Sequence, residues 1–380
     1  MTFVVAFPLL GAPLLALGAV GLAAWARDRS GGAPAGLHPD PTTTTGRLRR
    51  WDGAAWTDEV ADGGPPHGRG RWFRGRFWGI GWLSAALPAL LVAAVGGASW
   101  IATRSDVVLV VLSALTQTFV CLAVYRFVAR QTALEEVVSG RAVLAAAVAG
   151  AGATMLVANP LDDLTGFLLG TEGALWFAGP VEELTKLVVP LAVFLLLRRL
   201  RDPRAGLALG LASGFGFAVA ENALYAVTVP RGAAPDVCRA LVRPTAGTDL
   251  GQLLDRVVLV EPLHWLLTGA VVLVIWRQWH RHGVRLTLPV VGAVLFAMAA
   301  HSLNDASAGW GCSPSYLGVR SALQPLVVLA LYLVLRAVAR RSLPPTRVGL
   351  VSRGWHPRRL PTATAADAPG SAEPAVPTRA

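Results

Sequence analysis

Lysine and other charged residues are scarce in this chain. Lys186 is the only lysine among 380 residues, and charged residues make up 15% of the chain while hydrophobic residues make up 54%. This composition excludes an ordinary soluble protein, and the positive mean hydropathy places the chain among polytopic membrane proteins. All other basic residues are arginines, and no basic stripe lies on a soluble domain of useful size, which argues against nucleic-acid binding.

Cysteine is also scarce, and the three cysteines do not form a metal-ligand spacing. Cys121 lies in an apolar run and is expected to pack as a small hydrophobic side chain. Cys238 and Cys312 fall in predicted extracytoplasmic loops, where disulfides persist, and are therefore candidates for a bridge. No His-Glu-x-x-His motif of the common zinc proteases occurs in the chain.

Nine apolar stretches reach membrane-spanning length, which predicts an all-α polytopic membrane protein. Arginine-rich connections alternate with arginine-poor ones, and this pattern places the N-terminus outside and the C-terminus in the cytoplasm. The predicted spans are 3–25, 78–102, 107–129, 141–159, 174–197, 205–228, 256–276, 286–305 and 321–341.

The spans divide the chain into four predicted parts. Residues 1–25 have no basic residue before the apolar run and no obvious cleavage site after it, and are interpreted as a retained signal-anchor helix. Residues 26–77 form a polar cytoplasmic insert and linker, and 78–341 form the membrane domain, with a catalytic core in 174–305. Residues 342–380 are rich in Pro, Ala, Thr and Arg and are predicted to be a disordered basic tail.

The insert contains Arg47-Leu48-Arg49-Arg50-Trp51-Asp52-Gly53, followed by Trp56-Thr57. These residues resemble a short tryptophan-bearing module that recurs in actinobacterial membrane proteins. Its two tryptophans either form a miniature core, which we favour, or dock at lipid headgroups.

Four polar clusters interrupt the apolar spans of the predicted core. At a rise of about 1.5 Å per residue, Glu182 lies roughly 12–15 Å below the outer surface, Glu221 and His264 about 12 Å, and His301 about 6–8 Å. A charged side chain at bilayer depth costs about 2.5–3.5 kcal/mol on insertion scales, so such groups rarely persist without a role. We therefore expect one buried reaction centre. The clusters are Glu182-Glu183 with Lys186, Glu221-Asn222 with Tyr225, His264, and His301 with Asn304 and Asp305.

These groups suit hydrolysis. Lys186 follows Glu182 by four residues and Glu183 by three, so its ammonium can pair with either carboxylate on one helix face. The lysine would keep one glutamate ionised beside another that is not. A carboxylate in a low-dielectric site is a competent general base toward water, and histidine and asparagine are donors suited to an oxyanion.

The order of these motifs resembles the PrsW family of intramembrane proteases, which belongs to the wider group of the CAAX prenyl endopeptidases. The resemblance covers about residues 174–305 and implies metal-independent, glutamic-type hydrolysis of peptide bonds in the plasma membrane, without a cofactor. It also implies a single-span membrane substrate such as an anti-sigma factor, cut on its extracytoplasmic side. The motifs are Glu182-Glu183-x-x-Lys186, Gly216-Phe217-Ala218-x-x-Glu221-Asn222-x-x-Tyr225, Pro262-x-His264 with Thr268-Gly269, and His301-x-Leu303-x-Asp305.

The resemblance also implies roles for the individual residues. Glu182 and Glu183 become the water-activating pair, and Glu221 stands where the CAAX enzymes have a histidine that assists the water. His301, with Asp305 or Asn304, takes the place of an oxyanion-binding His-x-x-x-Asn. Because an ionised aspartate is a poor donor, either Asp305 is protonated or Asn304 takes over. His264 is a further polar residue of the site, and Lys186, Asn222, Tyr225 and Asn304 support it.

Several alternatives stay open at this point. Two histidines with Glu182 or Glu221 would suit a zinc site with an open position. A proton-coupled transporter also uses buried Glu, Lys and His, although the polar residues here fall only in spans five to eight. A catalytically inactive scaffold is a third alternative, and each cluster taken alone could be a structural ion pair or a satisfied histidine. Glu261 is expected to pair with Arg256, and its spacing from His264 leaves a supporting role open.

Overall fold

The computed structural model describes most of the membrane domain and short parts of the insert. The candidate cysteine bridge between Cys238 and Cys312 and the predicted tail lie outside the described residues. Those are 2–30, 36–39, 48–51, 56–61, 80–103, 105–132, 134, 137–196, 202–228, 256–282, 286–307, 310 and 314–340.

Nine α-helices occur in the described residues, at the positions of the nine apolar stretches. A π-helical turn, Thr154–Ala158, joins α4 to α5, and another, Arg256–Val260, leads into α7. The helices are α1 Thr2–Ser30, α2 Ile80–Thr103, α3 Asp106–Thr132, α4 Gly140–Ala153, α5 Asn159–Leu196, α6 Pro203–Thr228, α7 Glu261–His282, α8 Leu288–Ser307 and α9 Pro314–Arg340.

Six helical stretches of the described chain are long and apolar enough to cross a membrane. α4, the π-turn and α5 together form one of the six. The protein is therefore helical and multi-pass, while nine crossings and the N-terminus-outside orientation stay predictions. The six stretches are Leu9–Ala26, Val107–Ala129, Gly140–Leu196, Pro203–Ala226, Leu288–Ser307 and Ala322–Ala339.

A small antiparallel sheet lies within the tryptophan-bearing insert and was not predicted from the sequence. Its strands β1 Gly36–Pro39, β2 Leu48–Trp51 and β3 Trp56–Ala61 pair in the order β1-β2-β3. The register places Trp51 opposite Trp56 across the β2–β3 pair.

α6 is the central helix of the membrane domain and is almost entirely buried. It begins at Pro203, whose missing N–H costs nothing in the first turn, and Asp202 accepts a hydrogen bond from the backbone N–H of Arg204 at 2.9 Å. The glycine stripe of α6 faces α7: an added Cβ at Gly206 would meet Trp276, and one at Gly214 would meet Trp265. Glycines that recur every four residues, Gly206, Gly210 and Gly214, predict the close approach of a neighbouring helix, and this prediction is confirmed.

α5 is interrupted at Gly170, so the predicted fifth span, 174–197, lies on a helical segment of its own. Gly170 has φ 74° and ψ 178°, which only glycine adopts readily. The residues before this interruption continue from α4 through the π-turn, whereas the residues after it carry the first acidic motif. A hydropathy profile detects apolar length but no backbone angle, and the interruption at Gly170 was therefore not predicted.

Candidate active site

Lys186 lies at the centre of a buried polar cluster formed by α5, α7 and α8. Its ammonium donates hydrogen bonds to Glu183 Oε1 at 2.9 Å and to Glu182 Oε2 at 3.3 Å. The same Nζ lies 2.9 Å from His264 Nδ1 and 3.5 Å from His301 Nδ1. We call these five residues the central cluster. The convergence of groups from separate spans that was expected from their depths is present.

A proline in α5 helps to fix the position of α8 against the first motif. Pro180 has no N–H to donate to the carbonyl of Trp176, one turn earlier. Ser302 of α8 supplies a donor instead, with its Oγ 2.6 Å from that carbonyl oxygen. A Cβ added at Gly179 would meet the backbone of α8, so the two helices are in close contact beside His301.

A second proline produces the same arrangement toward α6. Pro190 cannot donate to the carbonyl of Lys186. Ser213 Oγ of α6 donates to that oxygen at 2.7 Å, in a fully buried contact. The backbone of the motif lysine is therefore tied to the central helix, while its side chain reaches the central cluster.

The two glutamates of the first motif have different surroundings. Glu183 Oε1 contacts Lys186 and His301 Nδ1, each at 2.9 Å. Its Oε2 lies 3.4 Å from the Thr268 hydroxyl, which also contacts the His264 carbonyl at 3.0 Å. Glu182 places Oε2 3.3 Å from His301 Nε2 and 3.6 Å from His264 Nδ1. Glu182 has fewer donors aimed at it, which leaves it the more available of the two for water.

His301 is also held from its own helix. Asp305 Oδ2 lies 3.2 Å from His301 Nε2, one helical turn along α8. Asn304 Nδ2 donates to Asp305 Oδ1 at 3.0 Å, and Gln324 of α9 donates to Asn304 Oδ1 at 3.0 Å. The amide of Asn304 therefore binds Asp305. This arrangement favours Asp305 as a hydrogen-bond acceptor that orients the His301 ring. Gln324 was not predicted from the sequence, although an amide in an apolar span is a polar interruption like those of the four clusters.

Glu221 belongs to a second cluster, which we call the arginine cluster and define as Glu221, Arg256 and Glu261. Arg256 NH2 lies 3.0 Å from Glu221 Oε1 and 3.0 Å from Glu261 Oε1. The ring of Tyr225 lies 3.7 Å from the guanidinium carbon, in a cation–π contact. The expected ion pair between Arg256 and Glu261 is confirmed. The second ion pair, between Arg256 and Glu221, was not predicted, because Arg256 follows a long connection in the sequence.

The two clusters meet at His264. Its Nε2 lies 3.9 Å from Glu221 Oε2, and neither atom has a hydrogen-bond partner in the described part of the chain. Asn222 is fully buried beside them, and its backbone carbonyl accepts from Ser113 at 2.9 Å. The side-chain amide of Asn222 has no partner among the described residues.

The donor atoms of the site are of the type that zinc prefers, histidine nitrogens with carboxylate oxygens. Two triads bring their ligand atoms within 4.8 Å of one another. His264 Nε2 and Oε2 of Glu221 and Glu261 are buried without a hydrogen-bond partner among the described residues, so the residues fit a divalent cation. In the first triad, however, the ammonium of Lys186 already contacts the glutamate and both histidines. The triads are Glu182, His264 and His301, and Glu221, Glu261 and His264.

Comparison with known families gives one finding. A family model described as "PrsW family intramembrane metalloprotease" matches residues 138–338, more than half of the chain. No curated protein and no solved structure matches the chain. The matched region contains all four polar clusters and both triads of ligand atoms, and it favours a protease over a transporter or an inactive scaffold. The chain therefore belongs to the PrsW family and is an intramembrane protease.

Proposed function

We propose that this protease hydrolyses peptide bonds of membrane-spanning proteins by means of a water molecule activated by Glu182, in the outer half of the bilayer. The observation that carries the proposal is the geometry of the central cluster. Glu183 is held by two donors at 2.9 Å, and Glu182, 3.3 Å from the same lysine, faces two histidines. Two carboxylates with unlike surroundings are the pattern of acid–base hydrolysis.

In this mechanism Glu182 accepts a proton from water, and the water oxygen forms a bond with the carbonyl carbon of the substrate. The carbonyl oxygen becomes an oxyanion, which His301 stabilises by its positive charge while Glu183 and Asp305 hold its two ring nitrogens. The carbon–nitrogen bond then breaks, and the proton passes from Glu182 to the leaving amine. Glu183 keeps Lys186 and His301 in place, because its Oε1 binds both of them.

Glu221 is proposed to assist at the edge of the site. Arg256 holds its Oε1, and its Oε2 stays directed toward His264 at 3.9 Å. A direct hydrogen bond between nitrogen and oxygen needs about 2.7–3.2 Å, so Glu221 leaves the Nε2 of His264 unoccupied and its own Oε2 stays available to water.

The substrate is proposed to be a single-span membrane protein of the plasma membrane, and an anti-sigma factor is the class that the family resemblance implies. Apolar side chains cover the lipid-facing sides of α5 and α8, for example Leu184, Val188, Leu295 and Phe296. A substrate helix that diffuses in the bilayer would meet such a surface before it reached the buried polar groups.

The second candidate is a zinc-dependent form of the same activity, which the two ligand triads favour. Glu182, His264 and His301, or Glu221, Glu261 and His264, would hold the ion. Bound there, the metal would polarise the substrate carbonyl and activate water. We favour the metal-independent form because Lys186 places its positive charge against all three residues of the first triad.

The proposal is tested by co-expressing a panel of tagged single-span membrane proteins with wild type and with Glu182→Gln, Glu183→Gln and His301→Ala. Glu172→Gln is the matched control, because Glu172 is exposed on the same helix. We expect a cleavage product with wild type and control, and its loss in the three site variants at equal membrane levels. A product that survives all three substitutions would mean that another enzyme makes the cut.

A further inference from the structure

His264 lies in the active site, but the mechanism above gives its side chain no task. It is on the first turn of α7 and is only 2% exposed. Phe217 of α6 stacks on its ring at a centroid distance of 5.8 Å and an interplanar angle of 19°. The ring of His301 meets it edge-on at 4.4 Å and 86°. The imidazole is therefore held in one orientation by its neighbours on two helices.

The contact with Lys186 decides which nitrogen of His264 carries the proton. An ammonium group only donates hydrogen bonds, so His264 Nδ1 must accept at the observed 2.9 Å. Lys186 retains its charge beside Glu183 and Glu182, and a second proton on Nδ1 would point at that charge. The hydrogen of the neutral imidazole is consequently on Nε2.

His301 differs from His264, because a carboxylate faces each of its two ring nitrogens. Glu183 Oε1 lies 2.9 Å from Nδ1 and Asp305 Oδ2 lies 3.2 Å from Nε2. A carboxylate only accepts, so His301 carries a hydrogen on both nitrogens and is positively charged. The two histidines in edge-on contact thus differ because the shortest contact of one Nδ1 is with the Lys186 ammonium, at 2.9 Å, and that of the other is with the Glu183 carboxylate, at 2.9 Å.

The Nε2 hydrogen of His264 has no acceptor among the described residues. The closest carboxylate oxygen that faces it, Glu221 Oε2, is 3.9 Å away, beyond hydrogen-bond reach. Arg256 holds the other oxygen of Glu221 and so resists its movement toward His264. A buried donor without an acceptor costs about 1–3 kcal/mol, which is a reason to expect that a ligand completes it.

We propose that His264 is a catalytic residue that donates its Nε2 hydrogen to the carbonyl oxygen of the scissile peptide bond, and that Lys186 fixes the required tautomer. This inference rests on the proposed function of the same site. When the water oxygen bonds to the carbonyl carbon, the carbonyl oxygen gains negative charge and its bond to the Nε2 hydrogen strengthens. His264 then acts together with His301, from a second helix.

The kinetic test uses purified protein in lipid vesicles with a tagged single-span substrate that wild type cleaves. His264→Ala removes the donor, and His264→Gln replaces it with an amide N–H at a similar reach. We expect kcat to fall about 100- to 1,000-fold in the alanine variant with little change in KM, and to stay within about 10-fold of wild type in the glutamine variant. His280→Gln, near the other end of α7, is the control and is expected to match wild type.

The tautomer test needs no activity. Nitrogen NMR of protein labelled with ¹⁵N-histidine distinguishes the two tautomers, and the His264 signals are assigned by their loss in His264→Gln. We expect the hydrogen on Nε2 in wild type and a changed pattern in Lys186→Met. A hydrogen on Nδ1, or a glutamine variant as slow as the alanine variant, would overturn the inference.

The two proposals fail in different ways. Unchanged kcat in His264→Ala, together with loss of cleavage in Glu182→Gln, would remove only the role of His264. Unchanged cleavage in Glu182→Gln would instead remove the proposed function itself, and the donor role with it.

Discussion

Replacing Lys186 with methionine tests the electrostatic core of the site. The lysine side chain is fully buried and donates to Glu183 at 2.9 Å and to Glu182 at 3.3 Å. Methionine fills a similar volume without a charge, so the main effect is to leave two buried carboxylates without their shared cation. Removing one partner of a buried ion pair costs about 3–5 kcal/mol, and we expect the free energy of unfolding to fall by that amount.

A double variant separates charge from packing. In Lys186→Met with Glu183→Gln, one of the two uncompensated carboxylates becomes neutral, and part of the lost stability should return. We expect a coupling free energy of about 1–3 kcal/mol between the two positions. The assay is unfolding of the purified protein in mild detergent with increasing SDS, followed by circular dichroism.

Leu184→Met is the matched control, because Leu184 lies on the same helix and is 53% exposed. Its stability should equal that of wild type. The reasoning would be refuted if Lys186→Met were as stable as wild type, or if Glu183→Gln did not reduce its cost.

Three further predictions concern the surroundings of the central cluster. Arg256→Gln should release Glu221 and lower kcat about 10- to 100-fold, because a catalytic group misplaced by about 1 Å can lower the rate on the order of 100-fold. An unchanged kcat in the vesicle assay would contradict this prediction. Ser302→Ala leaves the carbonyl of Trp176 without its 2.6 Å donor and should cost about 1–3 kcal/mol in the same SDS titration, and equal stability would argue against the cross-helix bond. Gly216→Ala places a Cβ against a backbone carbonyl of α4 and should cost about 3 kcal/mol or more; a stable, active variant would show that α4 and α6 are further apart.

The helices and the meeting of the polar clusters could be predicted from the sequence. Apolar length determines where helices form in a bilayer, because every backbone group there must be bonded within its own segment. Counting residues from the span ends placed Glu182, Glu221 and His264 at similar depths, and the structure brings the first and last within 3.6 Å. The glycine spacing of α6 indicated a close neighbour, which is α7.

The contacts that connect the clusters could not be predicted. Arg256 lies after a long connection, and no periodicity relates it to Glu221 on another helix. Gln324 is far along the chain from Asn304, and only the packing of α9 brings them to 3.0 Å. Such contacts depend on helix rotation and tilt, which apolar length does not determine.

Backbone details were missed for a different reason. Pro180 and Pro190 are visible in the sequence, but the serines that bind the freed carbonyls belong to other helices. The bend at Gly170 depends on a positive φ that a glycine permits but does not require. The sheet of the insert has strands of four to six residues, too short for a clear alternating pattern.

The central claim is that Glu182 activates the water and that the positive charge beside it comes from Lys186. The most direct measurement is the turnover of purified wild type and Glu182→Gln in lipid vesicles, with the metal content of the same samples determined after exhaustive chelation. We predict that metal-depleted wild type keeps its turnover and that Glu182→Gln loses at least about 100-fold. Turnover that disappears on chelation and returns with one zinc ion per chain would contradict the account.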